Sequence, residues 1–227
     1  MIRNTHIFIL FILGSFLLNS CAKEDEYFSL NDVWLSLGMV KTDTNLGYDY
    51  VVFCDNQDTL LPISSDVPSF HAVNEQRVLI NYSILGYTGA SQKKFYIKVN
   101  NLQEVLFKDI IELSTQNTDS LGHDSITILN LWVVNDLMNI EYQYQGGITK
   151  HFINLAYTTN DSGELNQPIE LEFRHNANNE SAKVLFNGIV SFRLNALQLE
   201  GQDSINYVVK STGLLNGMQR FTGTYKY

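Results

Sequence analysis

Ile169-Glu170-Leu171-Glu172-Phe173-Arg174 alternates apolar and charged side chains without a break. Successive side chains of a strand point to opposite faces, so this period of two describes a ribbon with one face buried and one wet. Ile140-Glu141-Tyr142-Gln143-Tyr144-Gln145 repeats it. Ile205 to Lys210 and Met218 to Tyr227 follow it less strictly. Val133-Val134-Asn135-Asp136-Leu137 reads as a tight hairpin between two apolar strands. No segment holds a helical period over three turns; Leu102 to Ile111 is the best helical candidate. The chain is therefore expected to be all-β.

The stretch Ser114 to Asp124 is polar and rich in turn formers, and it separates two groups of strands. Upstream lie Val33–Thr42, Tyr48–Cys54, a Leu60-Leu61 stub, Arg77–Leu85 and Phe95–Asn101, a count that suits a small closed barrel. Downstream, about seven short strands at regular spacing suit an antiparallel sandwich. The boundaries expected are 28–114 for the barrel and 120–227 for the sandwich. Trp34 and Trp132, each in an apolar run, are expected to nucleate one core each.

The formal charge is −9. Lys93-Lys94 is the longest basic run, so nucleic acid is excluded as a partner, since phosphate contacts need clustered cations. Cys54 lies in the strand-like Tyr50-Val51-Val52-Phe53-Cys54 and reads as a small buried apolar residue. The only other cysteine is Cys21, so no disulfide framework is expected.

His71, His123, His151 and His175 are widely spaced, with no His-x-x-x-His and no Cys-x-x-Cys. They read as exposed or singly hydrogen-bonded side chains, and no metal or other cofactor is expected. His151 and His175 could still meet across strands. A nucleophile elbow and a phosphate loop are both lacking. Gly146-Gly147 reads as a hairpin turn. Glu170 and Glu172 share a strand face about 7 Å apart, a spacing a glycosidase can use, but a solvated face lacks the cleft that raises one acid's pKa. No catalytic residue is assigned, and the chain is not expected to be an enzyme. Tyr142 and Tyr144 are expected to face the sandwich core. On a barrel of this kind the ligand face would be Tyr48–Cys54 and Arg77–Leu85, with Arg77 its main cation.

The N-terminus sets location. Arg3 precedes an apolar run from Ile7 to Leu18, short of the ~18–20 residues needed to span a bilayer. Leu18-Asn19-Ser20-Cys21 resembles the bacterial lipobox, which implies a signal peptide over 1–20 and a lipid-modified Cys21. Two acyl chains anchor a protein stably where one does not. Residues 21–27 form an acidic tether. Within it Lys23, Glu24, Asp25 and Glu26 resemble the surface-export signal of Bacteroidetes lipoproteins, which implies a lipid anchor in the outer membrane facing the medium, the periplasmic face being the alternative. Asp58-Thr59-Leu60, Asp119-Ser120-Leu121, Asp124-Ser125-Ile126 and Asp203-Ser204-Ile205 resemble that group's O-glycosylation tripeptide, marking Thr59, Ser120, Ser125 and Ser204.

Five ordered phrases resemble the NigD-like lipoproteins of gut and oral Bacteroidetes. They are Asp32-Val33-Trp34-Leu35-Ser36-Leu37-Gly38-Met39-Val40, Asp55-Asn56-Gln57-Asp58-Thr59-Leu60-Leu61-Pro62, Gln76 to Leu85, Tyr96-Ile97-Lys98-Val99-Asn100-Asn101, and Asp124 to Trp132. The resemblance spans nearly the whole mature chain. It implies an N-terminal OB-type barrel, a C-terminal β-sandwich and no enzymatic activity. A protein or peptide partner is expected, with a role such as bacteriocin immunity. A glycan-binding accessory to a surface polysaccharide system is the alternative.

Overall fold

A computed structural model describes residues 29, 31–42, 47–88, 93–158, 168–181, 184–215 and 217–227. The expected signal peptide, Cys21 and the acidic tether lie outside the described residues. Among the described residues no helix is long and apolar enough to cross a membrane.

The first five strands are β1 (Trp34–Lys41), β2 (Val51–Cys54), β3 (Thr59–Ser65), β4 (Arg77–Tyr87) and β5 (Lys94–Glu104). They close into a barrel in the order β1-β2-β3-β5-β4, with β4 returning to β1. β3 and β5 run parallel; the other pairs are antiparallel. Val40, Val52, Leu60, Ile80, Ile97 and Val99 are fully enclosed in its core. Closure of so small a barrel brings β1 against β2 at Gly38, where a Cβ would stand 2.4 Å from Val52 Cγ1. Cys54 is 7% exposed on this wall, and burial pushes its thiol up to about 12, leaving it a packing residue as expected.

The remaining strands form two facing sheets. They are β6 (Leu106–Asp109), β7 (Ile111–Glu112), β8 (Ile126–Val134), β9 (Leu137–Gly146), β10 (Phe152–Tyr157), β11 (Ile169–Asn176), β12 (Val184–Arg193), β13 (Ser204–Gly213) and β14 (Gly217–Lys226). One sheet runs β14-β13-β11-β10-β7 and the other β6-β12-β9-β8. Three pairs are parallel: β7 with β10, β11 with β13, and β6 with β12. Between the sheets, Ile140, Leu155, Phe173, Phe192 and Tyr225 make one core, with Tyr142 in it and Tyr144 packed against it. Burying each such side chain removes apolar surface worth about 1.5–3 kcal/mol.

Three expectations fail here for identifiable reasons. Leu102 to Ile111 is strand, because β5 runs on to Glu104 along β4 and Leu106 to Asp109 pairs with β12. The sandwich therefore begins near residue 106, inside the span expected for the barrel. Ser114–Asp124 is a turn-rich surface loop within the sandwich rather than the domain border. Gly146-Gly147 is no hairpin: β9 and β10 lie in different sheets, and the pair carries the chain across.

Candidate functional site

The barrel and the β6-β12-β9-β8 sheet face each other across a cleft of about 660 Å³. That volume lies within the roughly 300–1,000 Å³ typical of ligand pockets. On the barrel side, Leu37, Leu79 and Gln103 stand in one cross-strand row, with Leu35 beside them. On the sandwich side, Trp132, Glu141 and Ile189 come from three neighbouring strands, with Leu129 at the edge.

Trp132 reaches the cleft because β8 carries a bulge. Ile128 pairs with Tyr142 and Asn130 with Glu141, so Leu129 is an extra residue with no partner. Strict alternation from Ile126 and Ile128 would point Trp132 into the core. One inserted residue reverses the phase beyond it, so Leu131 and Val133 pack on the core while Trp132 turns outward. Gln219 braces the bulge from β14: its amide accepts from the Ile128 N–H at 2.8 Å and donates to the Ile128 carbonyl at 3.1 Å. Trp34 also misses its core and is 49% exposed at the start of β1. The expectation that each tryptophan nucleates a core is therefore wrong for both.

The cleft floor is polar at Asp55 and locked from beneath by buried partners. Arg77, expected on a ligand face, is 1% exposed and lies between the domains. Its guanidinium donates to both carboxylate oxygens of Asp55 at 2.6 and 2.5 Å, to Ser191 Oγ at 3.0 Å and to Asn139 Oδ1 at 3.0 Å. Ser191 Oγ also donates to Asn139 Oδ1 at 2.6 Å. Asp55 and Arg77 belong to the barrel, while Asn139 and Ser191 sit opposite each other on β9 and β12. A planar fork can satisfy two carboxylate oxygens and still donate elsewhere. Behind the floor, Arg193 stacks 3.9 Å from the Phe107 ring centroid and pairs with Asp109 at 3.1 Å.

The other polar cluster is at the far end of the sandwich. His151 and His175 do meet: His151 Nδ1 lies 2.7 Å from His175 Nε2. His151 Nε2 lies 2.7 Å from Glu180 Oε2, and His175 Nδ1 lies 3.1 Å from the Ser125 carbonyl. Partners fix the protons. A carbonyl only accepts, so His175 Nδ1 donates. Burial pushes His175 below its ordinary value, so its Nε2 is a bare acceptor for the His151 Nδ1–H. The hydrogen bond from His151 holds Glu180 down at about 2, helped by donors from Gly147 and Thr149. His151 thus bridges the His175 ring and the Glu180 carboxylate. Reading these two histidines as exposed or singly bonded is incorrect: the His175 residue is 1% exposed, and the His151 and Glu180 side chains are 5% and 11% exposed. His71 and His123 are exposed.

Glu170 and Glu172 each sit against a cation, Lys210 at 2.6 Å and Arg174 at 2.7 Å. No group of three or more His, Cys, Asp or Glu among the described residues could hold a metal ion. Of the candidate glycosylation residues, Thr59 is 8% exposed at the start of β3 and Ser120 sits in an exposed turn. Ser125 and Ser204 are half-buried.

The family model described as the NigD-like N-terminal OB domain matches residues 37–105, and the model of the NigD-like C-terminal beta sandwich domain matches 109–225. A protein of known structure from Parabacteroides distasonis, described as toxin-related, is 31% identical; the match covers 86% of this chain and 94% of that one, at a TM-score of 0.70. A NigD-like immunity protein from Bacteroides caccae is 16% identical, covering 88% and 99%, at a TM-score of 0.65. A protein from Bacteroides fragilis described as a lipoprotein is 10% identical, covering 86% and 98%, at a TM-score of 0.64. The last two likenesses show the fold alone. Comparison with curated proteins gives no match.

Proposed function

The chain belongs to the NigD-like family, with its OB barrel followed by its β-sandwich, and from that premise we propose that it is a lipid-anchored, non-enzymatic protein whose interdomain cleft holds a segment of a protein or peptide partner. One observation carries the reading: a bulge in β8 turns Trp132 out of the core, so that with Leu129 it faces a walled apolar cleft. Half-exposed large apolar side chains facing a rigid groove mark recognition surfaces rather than cores. Bulges that re-aim side chains recur beside functional sites.

The non-enzymatic part rests on access. Among the described residues the one carboxylate–imidazole chain, Glu180 with His151 and His175, is enclosed in the sandwich. A general acid or base must reach the proton it moves. Anchorage rests on the lipobox resemblance at Cys21 and the tether Lys23–Glu26. An outer-membrane site facing the medium follows from the same tether. The toxin-related and immunity descriptions of the relatives favour a role in protection against an antagonistic peptide. A glycan on Ser120 is part of the reading, supported by the Asp119-Ser120-Leu121 tripeptide on an exposed turn. An intact mass equal to the bare lipoprotein contradicts that glycan.

The test is cross-linking of the native lipoprotein on intact cells, followed by its capture. A discrete polypeptide is expected with the natural chain, and its yield is expected to fall at least about tenfold in Trp132→Ala with Leu129→Asp, the scale of losing one interface anchor. Both positions are outward-facing, so the fold is retained. Equal yield from both chains contradicts a role for the cleft. Capture of glycan alone favours the polysaccharide-accessory alternative.

A further inference from the structure

We infer that the cleft takes a cationic apolar polypeptide segment, lodged by its apolar side chains between Leu37, Leu79 and Trp132 and oriented by a Lys or Arg on the Glu141 carboxylate. This rests on the cleft-binding reading above and specifies the chemistry of the partner.

The cleft walls are asymmetric in charge. Among the described residues they include two acids, Asp55 and Glu141, and no Lys, Arg or His. Asp55 is already matched by the Arg77 fork. Glu141 is exposed and stands directly across from Ile189 on β12, diagonal to Trp132. Arg77 is bound up with Asp55, and Arg193, further along the interdomain seam, is occupied by Asp109 and Phe107. A carboxylate beside an indole face and aliphatic walls fits a Lys or Arg. Its charge meets Glu141, its methylene stem lies on Ile189 or Leu79, and its head can stack on Trp132. The net charge of −9 adds a long-range attraction for cations and a repulsion for acidic segments. The two cleft walls come from different domains fixed by the Arg77 network, so little ordering cost falls on the protein when a segment enters.

The probe is a short synthetic peptide alternating leucine and lysine. Its controls carry glutamine or glutamate in place of lysine. Each is titrated into the Cys21→Ser chain, which carries no acyl group, with Trp34→Phe added so that Trp132 is the single indole reporter. The lysine peptide is expected to shift Trp132 emission and the glutamate peptide to leave it unchanged. Glu141→Lys is expected to weaken the lysine peptide about fivefold or more, the scale of one rim charge reversed. Glu141→Gln gives a smaller loss. Glu200→Lys, an exposed acid outside the cleft, changes net charge equally and is expected to have little effect. Matched melting curves for the three variants establish that each is folded.

Equal losses in Glu141→Lys and Glu200→Lys overturn the inference, because attraction is then a property of net charge alone. Tight binding of the glutamine or glutamate peptide that depends on Trp132 also overturns it, while leaving cleft binding of a polypeptide standing. No Trp132 response to any peptide, combined with a response to surface polysaccharide, overturns both.

Discussion

Arg77→Met is expected to destabilise the protein by about 3 kcal/mol and to uncouple its two domains. The methionine keeps much of the arginine's volume but leaves the Asp55 carboxylate, 17% exposed, with only an amide at 3.3 Å. Removing one member of a buried ion pair costs about 3–5 kcal/mol, because the survivor keeps its desolvation penalty; partial exposure of Asp55 puts the value at the low end. Adding Asp55→Asn removes that stranded charge, so the double variant is expected to be more stable than Arg77→Met alone. Arg77→Lys keeps the charge and loses the fork, and falls between. Urea unfolding followed at the tryptophans and by far-ultraviolet dichroism checks this. The natural chain should give coincident transitions and Arg77→Met separated ones. A single transition shifted by under about 1 kcal/mol contradicts the assigned role of the network as the coupling between domains.

The second large effect is a loss of sandwich stability in two steps as pH falls. The folded protein holds His175 below its ordinary value of 6.5, chiefly by burial. The unfolded chain therefore binds a proton that the folded chain refuses. The stabilisation is complete above about 6.5 and is lost as pH drops toward the depressed folded value. Protonation there also removes the acceptor that His175 Nε2 offers to His151 Nδ1, 2.7 Å away. Asp124, near His175, and the Tyr144 ring, 5.0 Å from it, are the other groups facing this pair. Glu180, lowered from 4.5 to about 2 by its hydrogen bond from His151, adds a second step below pH 4.5. His175→Gln is expected to remove the step near neutrality and keep the acid one. It should lower stability at pH 8 by about 1–3 kcal/mol, the cost of a disturbed buried donor. Melting temperatures from pH 8 to 3 measure both. An unchanged slope between pH 7 and 5 in His175→Gln contradicts the proton arrangement.

Most of the barrel is legible in the sequence as short strand-like runs bounded by turn formers. Expected strands at Val33–Thr42 and Arg77–Leu85 correspond to β1 and β4 within two residues at each end. The Asn135-Asp136 hairpin is present, with Asn135 at φ 51°. What could not be read is what depends on partners far along the chain. The Leu129 bulge exists because of its pairing with β9 and the Gln219 brace 91 residues away. Without it Trp132 counts inward, which is how the sequence alone reads it. Arg77 looks like a surface cation until Ser191, 114 residues later, comes to meet it. The His151–His175 approach was visible only as a possibility, and Glu180, which completes it, carries no local signal at all. The sandwich border failed for a related reason: Leu106 to Asp109 earns its place through a parallel partner on β12.

The cleft, rather than another face, is proposed to meet the partner. A photoreactive side chain installed at Leu129, and separately at Thr222 on β14, tests it on intact cells. A discrete polypeptide adduct is expected from position 129 and none from 222. Adducts from 222 alone, or from both positions equally, would contradict it.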